Sequence, residues 1–164
     1  MFALDEIGRR HASGQGAWAT VRPKAVGMSG HSFGAHTTLG VAGQRYPGQP
    51  GLQEPRLAAF IAFSPSPPLH GDAREAFGRI QAPVLCVTGT RDDDVVGSGA
   101  TPAKRIAVWY DLPAGRKAQL VLRDADHMSV GGQTGSAVEI VPRQDITRQL
   151  QPQHHALVSA LTTD

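Results

Sequence analysis

The sequence predicts an α/β fold, with a mostly parallel sheet and flanking helices, and three observations support this prediction. Four short apolar runs recur along the chain, each of a length that suits a strand. Prolines and glycines bound these runs, and helical or loop stretches separate them. The runs are continuous rather than alternating, which is typical of strands covered on both faces of a parallel sheet. We therefore predict βαβ units within a single domain over residues 1–164.

The first half of the chain predicts a helix, a strand and a second helix. "MFALDEIGRRHA" suits a short amphipathic helix, because Phe2, Leu4 and Ile7 are apolar and charges lie between them. After "SGQGAW", the run "PKAVGMSG" predicts the first buried strand. Small and helix-tolerant residues then predict a helix from Phe33 to about Gln44, which "RYPGQPG" ends.

Three further strands and a final helix are predicted in the rest of the chain. The strands are indicated by "RLAAFIAFSPSPP", "APVLCVTGTRDDD" and "RKAQLVLRDADH". The last segment, "PQHHALVSALTTD", has Leu157, Val158 and Leu161 at helical spacing. No Gly, Lys or Arg follows to close this helix, so we interpret it as cut short.

Composition excludes several classes of function. Of the 164 residues 40% are hydrophobic and 18% charged, which is typical of a globular domain rather than a disordered chain. The net charge is only +2 and no Lys/Arg cluster occurs, so we expect no nucleic-acid partner. The single cysteine, Cys86, excludes an internal disulfide. No stretch has the length of a membrane span, and "MFALDEIGRR" does not resemble a signal peptide.

Side chains with catalytic potential follow each predicted strand. In open α/β sheets, functional groups gather just beyond the carboxyl ends of the strands. The first run ends at Ser32, the second at Ser64 and Ser66, the third at Asp92 and the fourth at His127. Ser, Asp and His therefore follow one another in the chain order of an α/β-hydrolase triad.

Ser32 is the predicted nucleophile. Gly30-His31-Ser32-Phe33-Gly34 fits the G-x-S-x-G nucleophile elbow, in which a tight strand-to-helix turn exposes the serine. We expect Gly30 and Gly34 to leave no room for a Cβ atom, and the Phe33 N–H to bind an oxyanion. The alternative is that Ser32 merely caps a helix with its hydroxyl.

His127 is the predicted general base, since an imidazole can accept the Ser32 proton and later return it. The alternative is a histidine on a surface loop. The remaining candidates are less suited. We expect His31, on a turn that should aim it away, and His36, one helical turn onward, to be packing or rim residues. His70, in a proline-bounded loop, is a weaker candidate for lining the site. His154 and His155 are adjacent, whereas a metal pair on a helix needs a spacing of three or four. We predict no metal and no cofactor.

Asp92 is the predicted acid that orients the imidazole. It comes immediately at the strand exit in "RDDD", and Asp93 is the alternative, with Asp94 third. We expect Asp124 and Asp126 to be loop or turn residues, and Arg91 to be a solvated charge.

Three motifs carry a resemblance to the α/β-hydrolase superfamily: "GHSFG" at 30–34, "PVLCVTGTRDD" at 83–93 and "LRDADHMSVGG" at 122–132. Within it the chain resembles bacterial proteins described as predicted dienelactone hydrolases, near the platelet-activating-factor acetylhydrolases. This resemblance implies a serine hydrolase with Ser32, Asp92 and His127 as triad and the Phe33 N–H in the oxyanion hole. The chain departs from these proteins in its nucleophile, because dienelactone hydrolases use a cysteine where this sequence has Ser32.

The resemblance also implies that the chain is the carboxyl-terminal half of a larger domain. It begins at the helix before the nucleophile strand, so we expect about four earlier strands, and the loop with the second oxyanion N–H, to lie outside it. The leading hypothesis is hydrolysis of a small carboxylic ester. A catalytically incompetent fragment with a binding role, an acyltransferase and a peptidase remain alternatives. Oligomeric state is open; the compartment is cytoplasmic by default, with export open.

Overall fold

A computed structural model describes residues 2–132 and 156–160. Four strands alternate with helices along this part of the chain. They are α1 (Phe2–Ala12), a short 3₁₀ helix (Gly16–Thr20), β1 (Val26–His31), α2 (Phe33–Ala42), β2 (Leu57–Phe63), α3 (Ala73–Phe77), β3 (Val84–Arg91), α4 (Pro102–Asp111), β4 (Lys117–Asp126) and α5 (His127–Val130). Residues 156–160 are helical, and the other residues of the predicted final helix lie outside the described part.

The four strands form one parallel sheet in the order β1-β2-β3-β4. This arrangement confirms the predicted α/β fold with a parallel sheet and flanking helices. Because all four strands run the same way, their carboxyl ends lie along one edge. We call this the carboxyl edge; it carries the residues that follow His31, Phe63, Arg91 and Asp126.

Side chains of the central strands alternate between two apolar clusters, one on each face of the sheet. In β2, Phe60 and Ala62 belong to the larger cluster, whereas Phe63 belongs to the smaller one. Helices α2 and α4 cover the larger cluster with side chains such as Leu39 and Val108. On the other face, α5 and the helical residues 156–160 cover the smaller cluster. Both faces of the sheet are therefore covered by helices, and the carboxyl edge lies between these two layers.

The helices differ in detail from their prediction. Helix α2 ends at Ala42, two residues before the predicted end, because Gly43 has φ 124° and donates its N–H to the carbonyls of Leu39 and Gly40. Helix α1 forms as predicted, but none of its residues is buried and Phe2 is 80% exposed. Helix α4 begins at Pro102 and is capped by Thr101, whose side chain accepts from the Lys104 N–H.

Candidate active site

Ser32 lies at the turn between β1 and α2 in a backbone conformation that is rare for any residue except glycine. Its φ and ψ are 57° and −114°. Non-glycine residues with such angles cost about 1–3 kcal/mol and cluster at functional sites. Its side chain makes no capping hydrogen bond to α2. Its hydroxyl is therefore available to another partner. The helix-cap alternative requires a hydrogen bond from α2 to this hydroxyl, and α2 makes none.

The two elbow glycines do not play the same part. A Cβ on Gly30 would lie 2.3 Å from the Gly34 carbonyl oxygen, so only glycine fits at position 30. A Cβ on Gly34 would meet nothing within 4 Å. The expectation that both glycines leave no room for a Cβ is wrong for Gly34, because the turn narrows only on the strand side.

Ser32, His127 and Asp92 form a continuous chain of hydrogen bonds at the carboxyl edge. The Ser32 hydroxyl lies 2.9 Å from His127 Nε2, and His127 Nδ1 lies 2.7 Å from Asp92 Oδ1. When Asp92 accepts from Nδ1–H, the neutral ring presents an unprotonated Nε2 to the hydroxyl. This arrangement can remove the proton from Ser32 and hold it on the imidazole.

The residues that follow β3 and β4 lie close together because the backbones of these two strands approach each other closely near their carboxyl ends. A Cβ on Gly89 would lie 2.0 Å from the carbonyl oxygen of Ala125, so the two backbones come together at this point. Beyond it, the Asp126 carboxylate accepts from the backbone N–H and the hydroxyl of Ser129. This cap starts α5 directly at His127, which is only 3% exposed. His127 is thus buried at a helix start rather than on a surface loop.

The Asp92 side chain is fully buried and bonded at both oxygens. Oδ2 accepts from the Thr88 hydroxyl at 2.7 Å, and Oδ1 accepts from His127. Burial by itself raises the pKa of this carboxyl, but the hydrogen bond from His127 and the charge of Arg105 outweigh burial and lower the pKa. Asp92 is therefore a carboxylate at neutral pH, as the orienting acid of such a triad must be.

His31 packs directly on His127, which corrects the expectation that its turn aims it away. Its Nε2–H donates to the backbone carbonyl of His127 at 2.8 Å, and the two rings lie 4.6 Å apart. Burial, and then the nearby His127, lower the pKa of His31 to about 4, so its ring stays neutral at pH 7. A Cβ on Gly131 would lie 2.8 Å from the His31 ring, so α5 ends in a glycine that this ring requires.

Phe33 begins α2 immediately after Ser32. The first N–H groups of a helix have no partner within the helix, so the Phe33 N–H is free to bind an anion beside the Ser32 hydroxyl. The Phe33 side chain is 83% exposed, which places a large apolar surface at the mouth of the site.

The alternative carboxylates lie apart from this chain of bonds. Asp93 is exposed and accepts from the Asp94 N–H, whereas Asp94 accepts from the backbone of residues 96–99. Asp124 pairs with the exposed Arg91 at 3.1 Å. Asp124 and Asp126 belong to β4 rather than to a loop, which corrects their expected placement.

Within the described part of the chain, His36 and His70 are likewise not bonded to Ser32. His36 is partly buried and its ring lies 6.4 Å from that of Phe33; burial and then the charge of Arg105 lower its pKa. His70 is exposed and borders a surface cleft with Tyr46 and Asp72. His154 and His155 lie outside the described residues.

Residues 2–132 and 156–160 contain no group of three or more His, Cys, Asp or Glu side chains that could hold a metal ion. Cys86 is buried in β3, and burial raises the pKa of its thiol to about 12, so it stays protonated.

None of the described helices is long and apolar enough to cross a membrane.

Two site residues were not predicted from the sequence. Thr88 lies in β3 and donates to Asp92. Arg105 lies in α4, and its guanidinium contacts both the carboxylate and the backbone carbonyl of Asp92. The start of α4 has a sequence signal, because Thr101-Pro102 is typical of a helix start. The contact between Arg105 and Asp92 has no such signal, since it depends on how α4 packs.

No protein-family model matches the chain, and no curated protein matches it. Among solved structures, the chain is similar to the crystal structure of the 2,6-dihydroxy-pseudo-oxynicotine hydrolase, an α/β hydrolase. The two have a TM-score of 0.56 over 98% of this chain, with 17% sequence identity. The chain spans 43% of the length of that hydrolase. This similarity shows that the chain has the fold found in α/β hydrolases.

Proposed function

We propose that the chain is a serine hydrolase that cleaves carboxylic esters through an acyl-enzyme on Ser32. One observation carries this proposal: a strained serine at a strand-to-helix turn is bonded to a buried histidine, which is bonded to a buried carboxylate. This arrangement of three side chains supports an activated nucleophile whose base is oriented by a third group.

In the proposed reaction, Ser32 Oγ attacks the ester carbonyl carbon while its proton passes to His127 Nε2. The Phe33 N–H stabilises the oxyanion of the tetrahedral intermediate. The proton then leaves with the alcohol as the carbon–oxygen bond breaks, and the acyl group remains on Ser32. Water, deprotonated by His127, releases the acid and restores the serine. Asp92 holds the tautomer and stabilises the protonated ring throughout.

One feature supports an ester rather than another acyl compound, and a second concerns the group next to its scissile bond. The motifs that resemble predicted dienelactone hydrolases and platelet-activating-factor acetylhydrolases favour ester cleavage. The exposed Phe33 side chain beside Ser32 favours a substrate with an apolar group next to the scissile bond. The serine in place of a dienelactone hydrolase's cysteine leaves the identity of the ester open.

A panel of matched ester, thioester and amide substrates tests the proposal. We expect the folded chain to hydrolyse the ester fastest, with a rapid burst of alcohol and an acyl group on the Ser32 peptide in quenched samples. Circular dichroism verifies that the chain is folded. A folded chain that hydrolyses none of the three substrates, or that carries the acyl group elsewhere, contradicts the proposal.

A further inference from the structure

Arg105 is a buried cation whose contacts all lie at the carboxyl edge. It is 3% exposed, and it extends from the first turn of α4 toward the proposed triad. Nε donates to the Asp92 backbone carbonyl at 2.9 Å and lies 3.1 Å from Asp92 Oδ1. Nη1 donates at 2.8 Å both to the Ser64 carbonyl and to the Ser66 hydroxyl. An arginine this buried needs such pairing, since an unpaired charge would be strongly destabilising.

These contacts put Arg105 and His127 on the same carboxylate oxygen. Asp92 Oδ1 accepts from His127 and pairs with Arg105, while Oδ2 accepts from Thr88. A carboxylate bonded in three directions cannot rotate, so the ring that it orients is held as well. The guanidinium also offsets the negative charge that would otherwise draw a proton onto the imidazole.

We propose that Arg105 is a positioning residue that fixes the Asp92 carboxylate and offsets its charge, so that His127 stays neutral and able to accept the Ser32 proton. This inference rests on the proposed function and deepens it. Without Arg105, a lone buried carboxylate would favour the protonated ring, which cannot act as a base.

Charged and titratable groups from several elements face the base, and the test must separate them. His31 contacts His127 from the end of β1, and Asp126 precedes it at the end of β4. Arg105 acts from α4, and His36 on α2 lies within the field of Arg105. Because the pKa of His31 is about 4, its ring stays neutral near pH 7 and adds no change of charge beside His127 in that range.

The experiment is an NMR titration of the histidine rings in the full chain, with His127 assigned by comparison with His127→Ala. We expect Arg105→Gln to raise the pH at which the His127 ring takes up its proton by about one to two units. We expect Arg105→Lys, which keeps the charge, to shift it by less than half as much. In kinetics, the acidic limb of the kcat/KM profile should move upward by the same amount in Arg105→Gln.

A second pair of variants covers the case in which Arg105→Gln does not fold. Asp92→Asn and Asp92→Asn/Arg105→Gln differ only in the cation, and the double variant buries no charge at this site. We expect the His127 midpoint to be higher in the double variant. If both variants fold and the His127 midpoint is the same in Asp92→Asn and in Asp92→Asn/Arg105→Gln, the inference is overturned. The titration needs no turnover, so a chain that shows the shift but hydrolyses no ester would contradict only the proposed function.

Discussion

Two serines end neighbouring strands at equivalent places, yet they differ in what they can do. Ser32 follows β1 and donates its N–H to Phe63 of β2, and Ser64 follows β2 and donates its N–H to Val87 of β3. Both have a positive φ, 57° and 51°. Ser32 is partly exposed and its hydroxyl lies 2.9 Å from His127 Nε2, whereas Ser64 is completely buried.

The comparison shows that a positive φ at a serine does not by itself provide a hydrogen bond to a histidine or an open approach to the hydroxyl. After Ser32 the chain enters α2, whose first N–H groups are free to meet a substrate. After Ser64 it enters a proline-rich loop, and the Ser64 carbonyl accepts from Arg105. Under the proposed function, a strained serine at a strand end is a nucleophile only with a base within reach and an open approach. At the end of β2, the Ser64 carbonyl instead holds the Arg105 cation beside Asp92.

The strongest way to break this comparison is to delete each hydroxyl. We expect Ser32→Ala to lower ester kcat/KM on the order of 10⁴-fold or more, because the attacking atom is lost. We expect Ser64→Ala to lower it less than about tenfold. Steady-state kinetics on both variants, with melting curves as the folding control, measure the difference. Comparable losses in the two variants would contradict the division of roles.

Removing the orienting charge should have the next largest effect. Asp92→Asn should lower kcat on the order of 10³- to 10⁴-fold, since an amide no longer fixes the tautomer that leaves Nε2 unprotonated. Asp93→Asn is the matched control, because Asp93 is exposed and its carboxylate accepts from the next residue's N–H rather than from His127. Activity lost in Asp93→Asn and kept in Asp92→Asn would reverse the assignment.

The elbow glycines sharpen the comparison at the level of the backbone. Gly30→Ala should destabilise the fold by about 3 kcal/mol, because the added Cβ meets a backbone oxygen at 2.3 Å. Gly34→Ala should be neutral, or should stabilise α2 by up to about 1 kcal/mol, since its Cβ enters open space. Urea unfolding measures both. Equal destabilisation by the two substitutions would show that the turn is not shaped as described.

The contact between His31 and the base should appear as a pH dependence of stability. Because the pKa of His31 is lowered to about 4 in the fold, the unfolded chain takes up its proton near pH 6.5 and the folded chain only near pH 4. The free energy of unfolding should therefore decrease as the pH drops from about 6.5 to about 4, by at most about 3.4 kcal/mol. His31→Phe should remove this part of the decline in unfolding experiments across that range. An identical decline in wild type and variant would place the titration elsewhere.

Much of the fold could be predicted from the sequence, because its signals are local. Apolar runs bounded by prolines and glycines indicated all four strands, and their parallel order placed Ser32, Asp92 and His127 along one edge. The choice between Asp92 and Asp93 depends on more than local signals, because adjacent residues differ only in the direction in which the turn points their side chains.

The parts that could not be predicted depend on contacts between distant elements. Arg105 reaches Asp92 only because α4 packs on the sheet, and His31 reaches His127 only because α5 ends at Gly131. Gly34 fitted the elbow pattern, but the space around it depends on the turn itself. Sequence spacing contains none of this information.

Fluorophosphonate labelling, with the adduct mapped by mass spectrometry, tests the central claim most directly. The account predicts one adduct, on Ser32, that is lost in Ser32→Ala, slowed strongly in His127→Ala and retained in Ser64→Ala. Labelling of Ser64, or a folded chain that gains no adduct, would contradict the claim that Ser32, His127 and Asp92 form a working triad.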